Sequence, residues 1–402
     1  MLKYFRGRSF GYIFRFALAA PLALLIWLSI EVINFFRPVY IVGLSNKGRI
    51  TQYMAPMELH LRNANQNNKK YKMIFVMPAA TPNEAVRTVY SRYALIIDSH
   101  FPDIVRRAFA ILAETLKSRF TPELPTWNTL WTLKPATELL EHEIKFGENL
   151  RKKLGIPYNA QYVCLGVKDG AYYASITPES GYGQDLSHQA NDSRNPNLNN
   201  YLLAATYLAE KNIYVVRMGS IVSAPMPRSR HGKIIDYAID HRSELGDIVL
   251  YRNCLFEING TSGSFIFASS ANRPIAQCDE YEIGAQCQLN HPIPSILAIS
   301  LIKESTSGRL LTFQEIVKLG MIGRDEDLLR QLGLERQNNS PDEILFAVKE
   351  LEDLVLGQGT QTDETVLLQK KFYQCYFPPL DPDIQPLVTI SPSFLRKYSD
   401  LL

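Results

Sequence analysis

Cysteine, histidine and tryptophan are scarce, and no single charge dominates. Five cysteines in 402 residues, at positions 164, 254, 278, 287 and 375, form no C-x-x-C pair. A disulfide-stapled secreted scaffold and a thiolate zinc cage are therefore not expected, and reduced thiols facing the cytosol are. The seven histidines include no H-E-x-x-H pair, and no metal cofactor is expected. No G-x-x-x-x-G-K-[ST] loop and no G-x-G-x-x-G turn occurs, which removes the signatures of the P-loop and of the dinucleotide fold. Forty-three basic against 40 acidic side chains leave a net charge of +3, without the basic excess of a nucleic-acid binder. What is present is globular: 46% apolar and 21% charged residues, over a length that accommodates two or three cores.

The apolar residues are unevenly spread. Phe16–Ile30 carries no charge, with Arg15 before it and Glu31 after it. A spanning helix needs about 20 apolar residues, a length reached if the segment runs from Phe10 to Phe36. Lys3, Arg6, Arg8 and Arg15 precede the run. For a spanning helix they place the N-terminus in the cytoplasm and the rest outside. A helix lying in the interface, kinked at Pro21, keeps both ends on one side. No small-x-small cleavage site precedes Arg37. Membrane association is expected for residues 1–38.

Beyond Pro38 the chain reads as α/β. VYIVG (39–43), KMIFVMP (72–78) and ALIID (94–98) are short apolar runs that predict strands, with RNANQNNKKYK as a solvated loop between the first two. DIVRRAFAILAETLKSRF has helical periodicity, and a helix through LLEHEIKFGENLRKKLG ends at Gly155 before Pro157. That stop divides an N-terminal domain, 39–155, from a second one, 156–310. In the second domain strands (YVCLGV, IYVVRMG, CLFEI, RPIAQC) alternate with helices, the pattern of a parallel sheet covered on both faces. A helical tail, 311–402, is expected to pack back on the domains. Its capping boxes are Thr312 with Glu315 and Ser340 with Glu343, and Ile344, Val348, Leu351 and Val355 form one stripe.

Ligands of open parallel sheets bind at the carboxyl ends of the strands. Three such ends are chemically unusual: Lys168-Asp169-Gly170, Arg217-Met218-Gly219, and Asn259-Gly260-Thr261-Ser262-Gly263-Ser264. Small residues in the last let backbone N–H groups approach a phosphate at a helix start, and the two cations suit a diphosphate. Ser193-Arg194-Asn195 lies in a long polar loop. Each also has an ordinary structural use, as a solvated cation, a capping turn or a loop turn.

GVKDGAYY, SRNPNLNNY, VVRMG, IIDYA, GDIVL, CLFEI and GTSG follow in that order over residues 162–275. This segment resembles the donor-binding half of a bacterial glycosyltransferase family of surface-polysaccharide biosynthesis. The likeness extends to GRI at 48–50 and to GRLLTFQEI, NNSPDEILFAVKEL and ISPSFLRKY. The segment is also broadly similar to fucosyltransferase-like enzymes around the nucleotide diphosphate. The family's first-strand histidine and arginine are Gly166 and Lys168 here, and its G-H after the GRI segment is Thr51-Gln52.

The resemblance implies a GT-B-like α/β fold, with two Rossmann-like parallel-sheet domains facing across a cleft. It implies a nucleotide sugar donor held by Lys168, Asp169, Arg194, Asn195, Arg217, Gly219, Asp236, Thr261, Ser262, Gly263 and Ser264, and a lipid-linked or glycan acceptor. Asp98 and His100, with Asp103, are the candidates for a base on the acceptor side. Asp325-Glu326-Asp327 and Asp381-Pro382-Asp383 match D-x-D, but neither follows a strand. Transfer from a cytosolic nucleotide sugar favours the interfacial helix, with the enzyme on the cytoplasmic face of the inner membrane. The alternatives are a membrane-tethered scaffold without catalysis and a transferase of a non-sugar group to a saccharide.

Overall fold

The computed structural model describes residues 10–44, 49–66, 72–78, 81–99, 103–116, 125, 127, 129–171, 195–227, 231–281, 293–320, 326–359, 362–376 and 388–402. The chain divides into two compact units, 1–126 and 127–402. The dividing point falls before the Gly155 stop. The helix Glu141–Lys153 belongs to the second unit, where Gly147 lets it pack closely against Val249.

The first unit is built on a three-stranded parallel sheet of β1 (Val39–Gly43), β2 (Lys72–Pro78) and β3 (Leu95–Ser99), in that order. Met73, Phe75 and Met77 of β2 alternate into the core. Between β1 and β2 runs a helix, Ile50–Gln66. The loop expected at 62–72 is thus helical through its first residues. Asparagines are poor helix formers, but burial of Tyr53, Met57 and Leu61, and of the ion pair Glu58–Arg62, outweighs the propensity.

The N-terminal helix runs from Phe10 to Phe36. Phe16, Ala19 and Ala23 pack on Val105, Ala108 and Ile111 of the helix Asp103–Thr115, the alanines allowing close approach. The rest of its surface is apolar and exposed, including Leu18, Leu25 and Val32. Ile13–Phe36 has a mean hydropathy of 2.2 and is only 17% buried. A core helix of a soluble domain would be mostly covered. This one is long and apolar enough to cross a membrane.

The second unit carries a seven-stranded, wholly parallel sheet. Its strands are β4 (Tyr162–Val167), β5 (Tyr214–Arg217), β6 (Ile234–Ile235), β7 (Glu257–Gly260), β8 (Ile275–Glu280), β9 (Ser295–Ile299) and, from the tail, β12 (Val388–Ile390). A separate antiparallel pair, β10 (Leu301–Glu304) and β11 (Leu334–Gln337), stands apart from it. The main sheet is ordered β12-β9-β8-β7-β4-β5-β6. The chain starts at the centre, winds outward to β6, then returns to the other side of β4. This is the doubly wound order.

On one face, Val163, Leu165, Val215 and Ile258 bury against Ala204, Ala205 and Leu208 of the helix Leu202–Glu210. Ile344, Val348 and Leu351 of the helix Pro341–Val355 complete that core. Both expected capping boxes form, and Gly357 follows in the left-handed conformation that stops the second helix. The tail is mostly helical, but it also supplies β11, short and polar, and the sheet-edge strand β12, three residues long, neither of which stands out in the sequence.

Candidate functional site

The reversal of strand order falls between β4 and β7, and a crevice at their carboxyl ends is where such sheets bind ligands. In register across these strands, Cys164 meets Glu257 and Gly166 meets Asn259. These four residues share the sheet face opposite the core just described, turned toward Tyr251 and Ser264. Past the strand ends, the backbone N–H of Lys168 donates to Gly260 O at 3.3 Å. Thr261 takes a φ of 48°, a strained conformation for a β-branched residue that turns the chain sharply out of β7.

The turn is held by side chains. The Ser262 N–H donates to Asn259 Oδ1 at 3.0 Å, and the Asn259 amide donates to Glu257 Oε1 at 2.7 Å and to Ser262 O at 3.1 Å. Ser264 Oγ donates to Glu257 Oε1 at 2.9 Å and lies 3.0 Å from Ser262 Oγ. Gly166 is required here. A Cβ would overlap Ser264 Oγ, Glu257 Oε1 and the Tyr251 hydroxyl, so the family's histidine has no room in this chain.

Glu257 is wholly buried, and burial pushes its carboxyl up to about 7 against the lowering by Asn259, Ser264 and the nearby Tyr251. Its Oε2 and the Tyr251 hydroxyl are buried without hydrogen-bond partners, as are both amide atoms of Gln277, which is in register with Asn259 on β8. A buried carboxyl with a displaced titration at a topological switch point marks a candidate site. In the sequence CLFEI reads as a strand like its neighbours, which hides the glutamate. The signal was available, since a glutamate inside a buried parallel strand has to be explained.

The helix that follows, Phe265–Ser270, has only six residues, so its dipole contributes little. The half-buried hydroxyls of Ser262 and Ser264 are the groups of the turn that an anion would meet. Lys168 stands half-buried at the tip of β4. Asn195 packs against Gly170, where a Cβ would come to 3.0 Å from its amide nitrogen, and its Oδ1 is buried without a partner. Arg194 lies outside the described residues.

Arg217 was expected as a cation presented to a diphosphate, and the structure gives it another task. Its side chain is 4% exposed, donating to Ala224 O at 2.8 Å and to Asp236 at 3.1 Å, with Asp169 at 3.7 Å. Asp236 also accepts from Met226 N at 2.6 Å. Asp169 accepts from Ala171 N and from the N–H and hydroxyl of Ser223. Burial would raise the Asp169 carboxyl, but these hydrogen bonds and the Arg217 charge hold it below the usual range. With its guanidinium enclosed by two carboxylates and a carbonyl, Arg217 ties the segment 218–226 to the tips of β4 and β6. Gly219 serves the same packing, since a Cβ would meet Val222 at 2.8 Å.

On the carboxyl edge of the first unit, Asp98 stands next to last in β3 and pairs with Arg87 of the helix Glu84–Ser91 at 2.8 Å, both about one-third exposed. Its Oδ1 is buried without a hydrogen-bond partner, and so is Gln52 Oε1. Tyr53 is fully buried close by; burial raises its hydroxyl, opposed by Thr81 and Arg87. His100 and the side chain of Asp103 lie outside the described residues, as do Asp325 and Asp381–Asp383. Glu326 and Asp327 pair with Arg336 and Arg330.

No protein-family model and no curated protein matches the sequence. Among solved structures, the chain is similar to a glycosyl transferase family 9 protein from Veillonella parvula, at 10% identity, with 60% of this chain and 80% of that one covered and a TM-score of 0.34. It is also similar to the dodecameric heptosyltransferase TibC in complex with ADP-D-β-D-heptose, at 12% identity, 64% and 61% coverage and a TM-score of 0.33. A third is the E. coli heptosyltransferase WaaC with ADP-2-deoxy-2-fluoro heptose, at 9% identity, 65% and 92% coverage and a TM-score of 0.28. At these values the likenesses assign neither activity nor ligand. The doubly wound order and the switch-point cluster stand on the chain's own strands.

Proposed function

We propose that this protein transfers a sugar from a nucleoside diphosphate sugar to a lipid-linked or surface glycan acceptor, in glycan assembly at the cell envelope. The observation that carries the reading is the polar turn Asn259–Ser264, supported by buried Glu257, at the switch point of a doubly wound sheet. The resemblance of residues 162–275 to a glycosyltransferase donor half points the same way. Thr261 to Ser264, with Lys168, Asn195 and Arg194, would contact the diphosphate. Arg217, Asp169, Asp236 and Gly219 would keep the neighbouring loop in place.

When the sugar leaves, negative charge grows on the diphosphate, and fixed donors that are already oriented stabilise it without reorganisation. Lys168 would add a point charge in place of an arginine fork. This needs no resident metal. On the acceptor side, Asp98 is the candidate base. Arg87 engages Oδ2 and leaves Oδ1 for a hydroxyl proton. The helix Phe10–Phe36 would attach the enzyme to the cytoplasmic face of the inner membrane, where nucleotide sugars and lipid-linked acceptors meet.

One observation favours a second reading. The family's first-strand histidine is replaced by Gly166, and its space is filled by Glu257 and Ser264, as in a tethered scaffold that has lost its chemistry. Release of nucleoside diphosphate from UDP-, GDP- or ADP-sugars by the purified protein separates the two. Turnover lost in Ser262→Ala/Ser264→Ala supports transfer. Tight partner binding with no turnover on any donor supports the scaffold.

A further inference from the structure

We propose that Glu257 is the buried end of a proton relay that runs through Ser264 and Ser262 to the phosphate of the departing nucleoside diphosphate, a role that rests on the donor reading above.

The distances form a continuous path. Glu257 Oε1 is 2.9 Å from Ser264 Oγ, which is 3.0 Å from Ser262 Oγ. The inner end is fully buried, while Ser262 and Ser264 are half-buried and Gly263 is exposed. A hydroxyl both donates and accepts, so the two serines can point their protons either way. With Glu257 ionised, Ser264 donates inward to the carboxylate and Ser262 donates to Ser264. With Glu257 protonated, the chain reverses, and Ser262 presents its proton outward to an anion.

A carboxylate kept only as an acceptor would have donors on both oxygens. Here Oε2 has no donor within hydrogen-bond geometry. The groups that act on Glu257 are Asn259, Ser264 and Tyr251, and Cys164 on β4 and Asp247 on the helix Glu244–Asn253 act in turn on Tyr251. Across β8 the facing residues are the neutral Ile275 and Gln277. None of these is a cation, so among the described residues no counter-ion holds the carboxyl ionised, and burial pushes it up to about 7. The second ionisation of a phosphate lies near 6, so proton exchange between the two ends is close to balanced.

The step balances. The bond from the anomeric carbon to the phosphate oxygen breaks and its electron pair stays on the diphosphate, while the acceptor oxygen forms the new bond to that carbon. Ser262 passes its proton to the diphosphate, Ser264 passes its own to Ser262, and Glu257 passes its own to Ser264. The acceptor's hydroxyl proton goes to the base on its side. After product release Glu257 regains a proton from solvent by the same path. Glu257 is therefore a positioning and relay residue that acts through the serines.

The test is proton uptake. UDP, GDP and ADP are each titrated calorimetrically into the full chain at pH 7, in two buffers of different ionisation heat. An anion at Ser262 favours protonated Glu257, so the wild type should take up about half a proton on binding, as for a group half-titrated at that pH. Glu257→Gln should still bind and take up close to none beyond the ligand's own contribution. Ser264→Ala keeps the Asn259–Glu257 hydrogen bond and interrupts the path. It should also lose the uptake, and it carries the test if Glu257→Gln does not fold. Equal uptake in the wild type and the variants overturns the relay and leaves the donor site standing. Failure of the wild type to bind any of the three diphosphates overturns the donor reading and the relay with it.

Discussion

Both units bury ionisable groups near a parallel sheet, and they handle them differently. In the first, the buried charges are paired: Glu58 with Arg62 at 2.6 Å, both inaccessible, with the Tyr90 hydroxyl on the other carboxylate oxygen. The buried His60 is kept neutral, its imidazole pushed down to about 4 by burial. In the second unit, burial pushes carboxyls up: Glu257 to about 7, and Asp247 and Asp279 to about 6. Asp279 is pinned by the Tyr201 hydroxyl and Asn339 N, and Asp247 by Tyr237 and Arg242. Glu257 alone of the three reaches toward a half-open turn. Buried pairs fix a shape, whereas a buried acid left without a counter-ion can exchange a proton.

The largest expected effect comes from breaking a pair. Arg62→Leu leaves Glu58 charged and buried, and should cost the first unit about 3–5 kcal/mol, read as loss of a cooperative calorimetric transition. Arg217→Ala does the same to Asp236 and Asp169 in the second unit. It should lower stability by a similar amount and donor affinity with it. If Arg217→Ala keeps full stability and loses only binding, the residue contacts the ligand and the structural role assigned to it is wrong.

The titrating groups make the two units respond to pH in opposite senses. His60 has a folded value below its ordinary 6.5, so the unfolded chain binds more protons between about 6.5 and about 4. The first unit therefore loses stability as pH falls through that window. Glu257 has a folded value above its ordinary 4.5, so the folded chain binds more protons between about 4.5 and about 7. The second unit loses stability as pH rises there. Each group accounts for at most about 3 kcal/mol. Glu257→Gln should accordingly raise the second unit's melting temperature at pH 8 and not at pH 4.5. A rise of equal size at both would place the effect in packing instead of charge.

Smaller effects separate room from chemistry. Gly166→Ala forces a methyl group against Ser264 and Glu257 and should cost about 1–3 kcal/mol. Lys168→Ala should leave stability within about 0.5 kcal/mol while weakening diphosphate binding by about tenfold, roughly 1.4 kcal/mol, as seen in the same titrations.

Much of the second sheet was legible in the sequence because its strands are continuous apolar runs bounded by turn residues. YVCLGV, IYVVR and RPIAQC all form strands where the pattern put them. The helix Ile50–Gln66 was not legible, because its asparagine-rich end looks like a solvated stretch until Glu58 and Arg62 are seen one turn apart. β12 is three residues long, and its place at the sheet edge is fixed by pairing with β9, where Val388 meets Ser295, a contact from far upstream that local patterns do not encode. For the site, the sequence pointed to the strand ends but not to what occupies them. Arg217 looks the same in a string whether it faces a phosphate or two carboxylates. Glu257 becomes conspicuous only once Gly166, on the neighbouring strand, is seen to make room for it.

The most direct test of the switch-point donor site is calorimetric titration of the wild type and Ser262→Ala/Ser264→Ala with UDP, GDP and ADP, with melting temperatures measured in parallel. Saturable binding of at least one diphosphate by the wild type, lost in the double variant while its melting temperature holds, is the expected outcome. Binding to none of the three, or binding unchanged in the double variant, would contradict it.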